Sequence, residues 1–502
     1  MAHTSLHEII QTKNMSESFI QLFRSILPAL TAVAGLGLSL AASIHAVLYK
    51  RDSRSAVAWV GLCWLTPFVG PLLYVLLGIN RIRRKVAGMR GTELNHLASL
   101  SDFSCSLEEL EQYIPENRGN LLQMARVTGM LTQLHLLKGN SVEPLKDGDE
   151  AYPAMLEAIT AARESITLVV YIFSNDPVGW KFVDALADAV ERGVQVRVLI
   201  DAVGARYSLP PITYRLRKRG VRVATFMSGF LPSSSPYLNL RNHRKILVVD
   251  GIVGFTGGMN IRTNHVIEGN TVHPTHDMHF RVRGPIVTEL QATFVEDWVL
   301  TTGENLFGKP WFSPPDYTEG SLCCRVIPDG PDQDVDKMSM AFQGALSVAE
   351  SSVRIMTPYF LPDRSLITAL NTCALRGVHV DIVLPQENNL KLVAWAAAAQ
   401  LWQVLEWGCN VWMSPPPFDH TKLLVVDGAY SLVGSSNWDP RSLRLNFELG
   451  MECYGTELAA ELDSYMRSVI DGSKRVSLDD VDGRSLPIKL RDGVARLMAP
   501  FL

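Results

Sequence analysis

The chain has 502 residues, 47% hydrophobic and 20% charged, with a formal net charge of -4. That balance excludes a disordered chain and one wholly embedded in a membrane, and it argues against a protein that coats nucleic acid. Seven scattered cysteines, at 63, 105, 323, 324, 373, 409 and 453, form no C-x-x-C pair and no metal-ligand spacing, which fits free thiols in a reducing compartment.

Residues 1–24 lead into two apolar stretches. Neither Ser25 to Tyr49 nor Ala56 to Ile79 contains an Asp, Glu, Lys or Arg, and each exceeds the ~20 residues a helix needs to cross a bilayer. Joined by the short "KRDSRS", they predict a transmembrane hairpin within 25–85, with helices at about 25–49 and 56–79. A cleaved signal peptide fits poorly, because the first stretch is too long and a second follows at once. Pro67, Gly70 and Pro71 leave a re-entrant second insertion open. Lys50, Arg51 and Arg54 in the connection are outnumbered by Arg24, Arg81, Arg83, Arg84, Lys85 and Arg90 on the opposite flanks. The positive-inside rule therefore places the large domain in the cytoplasm, with a multi-pass anchor in the cytoplasmic (inner) membrane.

Residues 86–138 read as an amphipathic helical linker, in which "SLEELEQY" opens on Ser106 as a cap. From 139 the pattern becomes β-α-β: "SITLVVYIF" (165–173), a helix through Val190, then "VQVRVLID" (194–201). It recurs as "SVRIMTPYF" (352–360), a helix to Leu375 and "VHVDIVLP" (378–385), with Gly193 and Gly377 at equivalent helix ends. The fold class expected is α/β: two repeated lobes, 139–325 and 326–485, each a mixed sheet flanked by helices, related by a pseudo-twofold. The basic run "RLRKRGVR" (215–222) reads as a solvated helix face. The first lobe carries an insertion, "GFLPSSSPYLNL", that is equally a plain surface loop or a lip over an apolar ligand. The tail 486–502 mixes basic and apolar residues and suits either an ordinary terminal helix or the surface of a bilayer.

The same uncommon word, H-x-K-x4-D-x6-G-x2-N, stands once in each lobe: His243, Lys245, Asp250, Gly257, Asn260, and His420, Lys422, Asp427, Gly434, Asn437. Each copy reads as strand, turn and strand, so the histidine and the lysine two residues on project to one face. An imidazole serves as nucleophile or as general acid/base near neutral pH, while lysine charge and an asparagine amide suit a tetrahedral anion such as a phosphoryl group. His243, Lys245, Asp250, His420, Lys422 and Asp427 form the candidate catalytic set, and Asn260 and Asn437 the phosphate-binding pair. For Asp250 and Asp427, each followed by Gly at a hairpin, a turn-forming role is at least as good a reading. The aligned strands "DMHFRVRG" and "ELGMECYG" open on Asp277 and Glu448, which are expected to orient the histidines. "HPTHDMH" (273–279) is read as a loop running into a strand, and no metal or other cofactor is expected.

These residues resemble the phospholipase D superfamily. "LRNHRKILVVDG", "TGGMNI", "TPYFLPD", "HTKLLVVDG" and "VGSSNWDPRSLRLNFE", with "KRDSRSAVAWVGLCWLTPFVGPLLYVLLG" before them, resemble bacterial cardiolipin synthases from roughly Lys50 to the C-terminus. The resemblance implies a metal-independent phosphatidyltransferase that joins two phosphatidylglycerols into cardiolipin and glycerol through a phosphohistidine. It implies His243 as nucleophile and His420 as acid/base. The partners expected are phosphatidylglycerol and the bilayer, with no nucleic acid; a homo-oligomer, and phosphatidylethanolamine or another alcohol in place of one phosphatidylglycerol, stay open. A phospholipase D-type hydrolase, or a membrane-tethered nuclease, is the alternative, and a catalytically dead scaffold would be expected to have lost part of a motif. Gly257-Gly258-Met259 against Gly434-Ser435-Ser436 makes the half-sites chemically unequal.

Overall fold

A computed structural model describes residues 4–50, 53–79, 98–226, 240–269, 271–313, 319–331 and 334–499. The basic flanks at Arg51 and 81–90, the first part of the expected linker and the loop 229–239 lie outside the described residues.

The N-terminal unit holds α1 (Thr4–Tyr49), whose Arg24–Tyr49 portion is long and apolar enough to cross a membrane. The second apolar stretch departs from a straight span. It is broken into α2 (Ser53–Leu65), α3 (Val69–Leu73) and a π-helical turn, Tyr74–Gly78. Pro67 and Pro71 lack the N–H that would continue the ladder. Gly70 sits where a Cβ would lie 2.5 Å from the Leu62 carbonyl, so the chain folds back tightly at the break. At about 1.5 Å per residue, α2 alone reaches roughly 20 Å, short of a hydrocarbon core about 30 Å thick. The segments are tied by hydrogen bonds from Ser39 Oγ to the Cys63 carbonyl (2.7 Å) and between His45 Nδ1 and Tyr74 Oη (2.8 Å).

In the large unit the first half supplies β1 (Leu137–Lys146), β2 (Ser165–Val170), β3 (Gln195–Asp201), β4 (Val223–Phe226), β5 (Arg241–Asn242), β6 (Ile246–Val249), β7 (Val253–Gly257), β8 (Thr275–His276) and β9 (Met278–Arg283). The second supplies β10 (Leu322–Asp329), β11 (Ser352–Met356), β12 (His379–Pro385), β13 (Asn410–Ser414), β14 (Phe418–Asp419), β15 (Leu423–Val426), β16 (Tyr430–Gly434), β17 (Asn446–Tyr454) and β18 (Lys474–Val476). Among the described residues the strands run β18-β13-β12-β11-β15-β16-β17-β10-β1-β9-β7-β6-β2-β3-β4. Read outward from the antiparallel β1–β10 pair, the two halves repeat one order, and β18 is an edge strand that only the second half adds. In each half three parallel strands adjoin antiparallel ones, so the sheet is mixed, and each half has its own buried apolar cluster. Gly193 and Gly377 end their helices at φ of 92° and 89°, a backbone conformation that residues with a Cβ rarely adopt.

The described part of the expected linker is no spacer. Ser106 caps Leu107–Leu110 in a reciprocal box with Glu109, as its sequence predicts. Leu110, Ile114, Leu121, Met124 and Ala125, however, are buried in the core of the second half. Apolar residues at helical spacing secure an amphipathic helix but do not name the surface that receives it.

Candidate active site

Each motif histidine is fixed by the opposite half. β5, which leads to His243, pairs in parallel with β17 at Arg241–Asn446 and Asn242–Phe447. β14, which leads to His420, pairs in parallel with β8 at Phe418–Thr275 and Asp419–His276. The next amides continue the pattern: His243 N–H donates to the Phe447 carbonyl (2.9 Å) and His420 N–H to that of His276 (2.7 Å). One residue further, Glu448 Oε2 lies 2.9 Å from His243 Nδ1, and Asp277 Oδ2 lies 2.8 Å from His420 Nδ1. The carboxylates therefore serve the rings crosswise, the acid of one lobe holding the imidazole of the other. With Nδ1 engaged, Nε2 is the nitrogen each ring has left to offer.

Both rings line one cavity of about 830 Å³, together with Asn260 and Asn437. Asn260 Oδ1 accepts from the Ile172 amide at 3.0 Å. Asn437 donates to Ser442 Oγ at 3.1 Å, and its buried Oδ1 has no partner among the described residues. Neither Lys245 nor Lys422 is among the residues that line the cavity; each ammonium donates to the carbonyl of its own histidine, and Lys422 Nζ is also 3.0 Å from His420 Nδ1.

Four cationic groups crowded together out of water cannot all stay charged. Burial brings Lys245 down to about 7 and Lys422 to about 8, against the pull of Glu448 on the first and of Asp277 on the second. Burial lowers the His243 ring too, partly offset by Glu448, and pushes His420 well below the usual range, helped by Lys422 and Lys245. Burial alone would raise the Glu448 carboxyl, yet His243 and Lys245 hold it below its ordinary value, whereas Asp277 is raised by its burial.

A hydrogen bond that only one half can make adds to that contrast. Ser435 Oγ donates to Glu448 Oε2 at 2.5 Å, while the first half has Gly258, where a Cβ would sit 2.3 Å from Asp277 Oδ1. The unequal triplets thus give the two orienting acids different surroundings.

Asp250 and Asp427 do not come to this site, which corrects their place in the catalytic set. Each sits in a hairpin at positive φ, 54° and 52°, followed by a glycine at 67° and 65°. Their carboxylates turn to the preceding loops. Asp250 accepts from the amides of Arg163, Glu164 and Ser165, and Asp427 from those of Glu350, Ser351 and Ser352.

Several lining residues were not among the candidates, although Arg241, Tyr359 and Arg441 stand in segments that carry the family resemblance. Tyr171 meets His243 edge-on at 5.2 Å and Tyr359 meets His420 at 6.0 Å, one position out of register in the repeat. Arg241, Arg262 and Arg441 add positive charge to the wall. Arg244, inside the first motif, is buried against Asp297 (2.8 Å) and bonds to the Glu448 carbonyl, which positions the strand rather than the cavity. In the run 273–279, His273 lines the cavity, His276 pairs with Asp147 and His279 is buried. Among the described residues no group of His, Cys, Asp and Glu has the arrangement of a metal site.

Comparison with known proteins decides the family. A sequence model described as "Cardiolipin synthase, PLD-like domain" matches residues 155–298 and 343–470, and one described as "Phospholipase_D-nuclease N-terminal" matches 37–78. Cardiolipin synthase A of Pseudomonas aeruginosa is 32% identical over 94% of this chain and 98% of its own length. The chain belongs to the cardiolipin synthase family of the phospholipase D superfamily. As a member of it, the protein is a phosphatidyltransferase. The major cardiolipin synthase ClsA of Bacillus subtilis is 30% identical over 90% of this chain and 95% of its own. Among solved structures, phosphatidylserine synthase of Haemophilus influenzae superposes with a TM-score of 0.59 over 76% of this chain and all of its own, at 16% identity, a likeness of fold alone.

Proposed function

We propose that the enzyme transfers a phosphatidyl group from one phosphatidylglycerol to another, giving cardiolipin and free glycerol. The observation that carries the reading is the pair of histidines lining one cavity, each braced at Nδ1 by a carboxylate of the opposite half. The bound phosphodiester anion, with Asp277, offsets the burial and lysine charge that keep the His420 ring neutral, and lets it hold a second proton at Nε2. His243 Nε2 attacks phosphorus, the bond from phosphorus to the glycerol oxygen breaks, and His420 supplies the proton that glycerol carries away. A hydroxyl of the second phosphatidylglycerol then attacks the phosphatidyl-histidine. His420 takes its proton, the P–N bond breaks, and His243 returns to its starting form. Lys245, Lys422, Asn260 and Asn437 hold the phosphoryl oxygens, whose transition state needs positioning and charge more than further covalent chemistry. Asp277 and Glu448 fix the ring tautomers.

The apolar N-terminal unit anchors the chain in the cytoplasmic membrane, and the count of basic flanks favours a cytoplasmic catalytic unit. Purified protein given labelled phosphatidylglycerol without divalent metal should yield cardiolipin and glycerol. Phosphatidic acid as the product would make water the acceptor and the enzyme a hydrolase. His243→Ala and His420→Ala should each cost about a thousandfold or more in turnover; a normal rate in either would end the proposal.

A further inference from the structure

We propose that the C-terminal helix and its neighbour form a docking face that seats the mouth of the cavity on an anionic bilayer surface. The proposal rests on the lipid-transfer reading above and goes beyond it by naming the surface through which lipid arrives.

The helix Leu486–Leu497 packs along the helix Lys391–Ala398. On the inner side Ala495 joins Leu361, Val393 and Ala396 in a small buried cluster, with Tyr359 and Trp395 against it. Leu361, Val393 and Tyr359 also line the cavity that holds the two histidines, so the helix Lys391–Ala398 contributes to its wall through Val393 and the C-terminal helix packs behind it. On the outer side Leu486, Leu490 and Leu497 remain 78, 67 and 74% exposed. With Val494 they form one stripe at helical spacing. Leu392 and Met498 extend the apolar surface, and Leu390 is both exposed and part of the cavity rim. A groove of about 450 Å³ between the helices, lined by Leu392, Trp395, Leu490, Val494 and Met498, completes it. Single exposed leucines are ordinary, whereas a continuous patch marks an interaction site.

The charges around the patch select its partner. Lys489, Arg491 and Arg496 flank the stripe, and Arg491 stacks over Trp395 at 4.4 Å. The one acid on the helix, Asp492, is buried and held by Arg484 and Arg491. What faces outward is therefore apolar and basic. A second copy meeting this face about a twofold would set like charges together. A layer of anionic headgroups over acyl chains matches both features, and a helix of this kind lies in the plane of such a surface.

The test uses the full-length enzyme in phosphatidylglycerol vesicles. Leu490→Glu with Leu497→Glu, both on the exposed stripe and outside the cavity, should lower cardiolipin formation from the bilayer about tenfold, yet leave turnover of a short-chain, monomerically dispersed phosphatidylglycerol within about twofold. An unchanged rate on vesicles overturns the proposal, as does an equal loss on both substrates. A loss that follows a change of oligomeric state overturns it in favour of a second copy. A nitroxide placed by Leu490→Cys should be shielded from an aqueous nickel chelate and open to oxygen in the vesicles; a label open to nickel overturns the proposal. This label reads docking whatever lipid is formed, so failure of the docking face and failure of the cardiolipin reaction are told apart.

Discussion

Lys245 and Lys422 work near the edge of their own charge. Burial leaves them at about 7 and about 8, so both lose protons as the medium turns mildly alkaline. For activity the sign is a loss: above those values the two lysines proposed to hold the phosphoryl group no longer add their charge, and only the arginines of the wall keep theirs. kcat/KM, which reports the free enzyme, should fall through that range, and Lys245→Arg should move the limb upward if the guanidinium fits. For stability the sign is opposite. The folded lysines titrate below the unfolded value of about 10.4, so the unfolded chain binds more protons in between and stability rises with pH from about 7. Melting temperatures against pH check this, and a profile that falls across the same window refutes it. The crossed carboxylates give a sharper residue test. Asp277→Asn should disturb the titration of His420, seen by histidine NMR, while that of His243 stays as it is in the unaltered enzyme, and turnover should drop about a hundredfold or more. Disturbance of His243 instead would mean that each acid serves its own half. That both acids stand beside rings was legible from their aligned strands. That they cross was not, because a repeat shows which positions correspond but not which copies meet.

Among the elements, the Asp-Gly hairpins show where one motif letter has two readings. The sequence offered a turn or a reacting acid at Asp250 and Asp427. The positive φ at both, and the three backbone amides each accepts, place them in the scaffold. Asp427→Ala should then lower thermal stability by roughly 1–3 kcal/mol through the orphaned amides, while the turnover of the remaining folded enzyme changes little. Turnover lost without a shift in melting would return Asp427 to the chemistry. The second apolar stretch teaches a related lesson. Its composition satisfies a span, and Pro67 and Pro71 signal interruption, yet the break between α2 and α3 also needed the close approach at Gly70, which a linear pattern does not carry.

At the scale of the whole molecule, the repeat made the mixed sheet and its twofold order readable, because strand period and helix period alternate twice in the same sequence. The segment 98–138 was not readable as part of the second half, since its anchors lie far away in sequence. Arg325 reaches the Ala125 carbonyl (3.1 Å), Thr128 Oγ1 (3.2 Å) and Glu452 (3.3 Å), and Thr128 Oγ1 also donates to Glu452 at 2.8 Å. Arg325→Met would leave the Glu452 carboxylate buried without its cation, at a cost of about 3–5 kcal/mol. Calorimetry should show that loss, and Arg325→Met with Glu452→Gln should recover part of it; a neutral single variant would show the tie to be idle.

The crossed carboxylates also govern what can become of the gene. A fragment ending between β9 and β10 would encode an imidazole without the acid that steers it, and the complementary fragment would share that defect. Neither piece by itself holds either of the observed histidine–carboxylate pairs. Inherited damage to one acid therefore strikes the opposite copy of the duplication, and the two copies must be kept intact together, as one unit of selection.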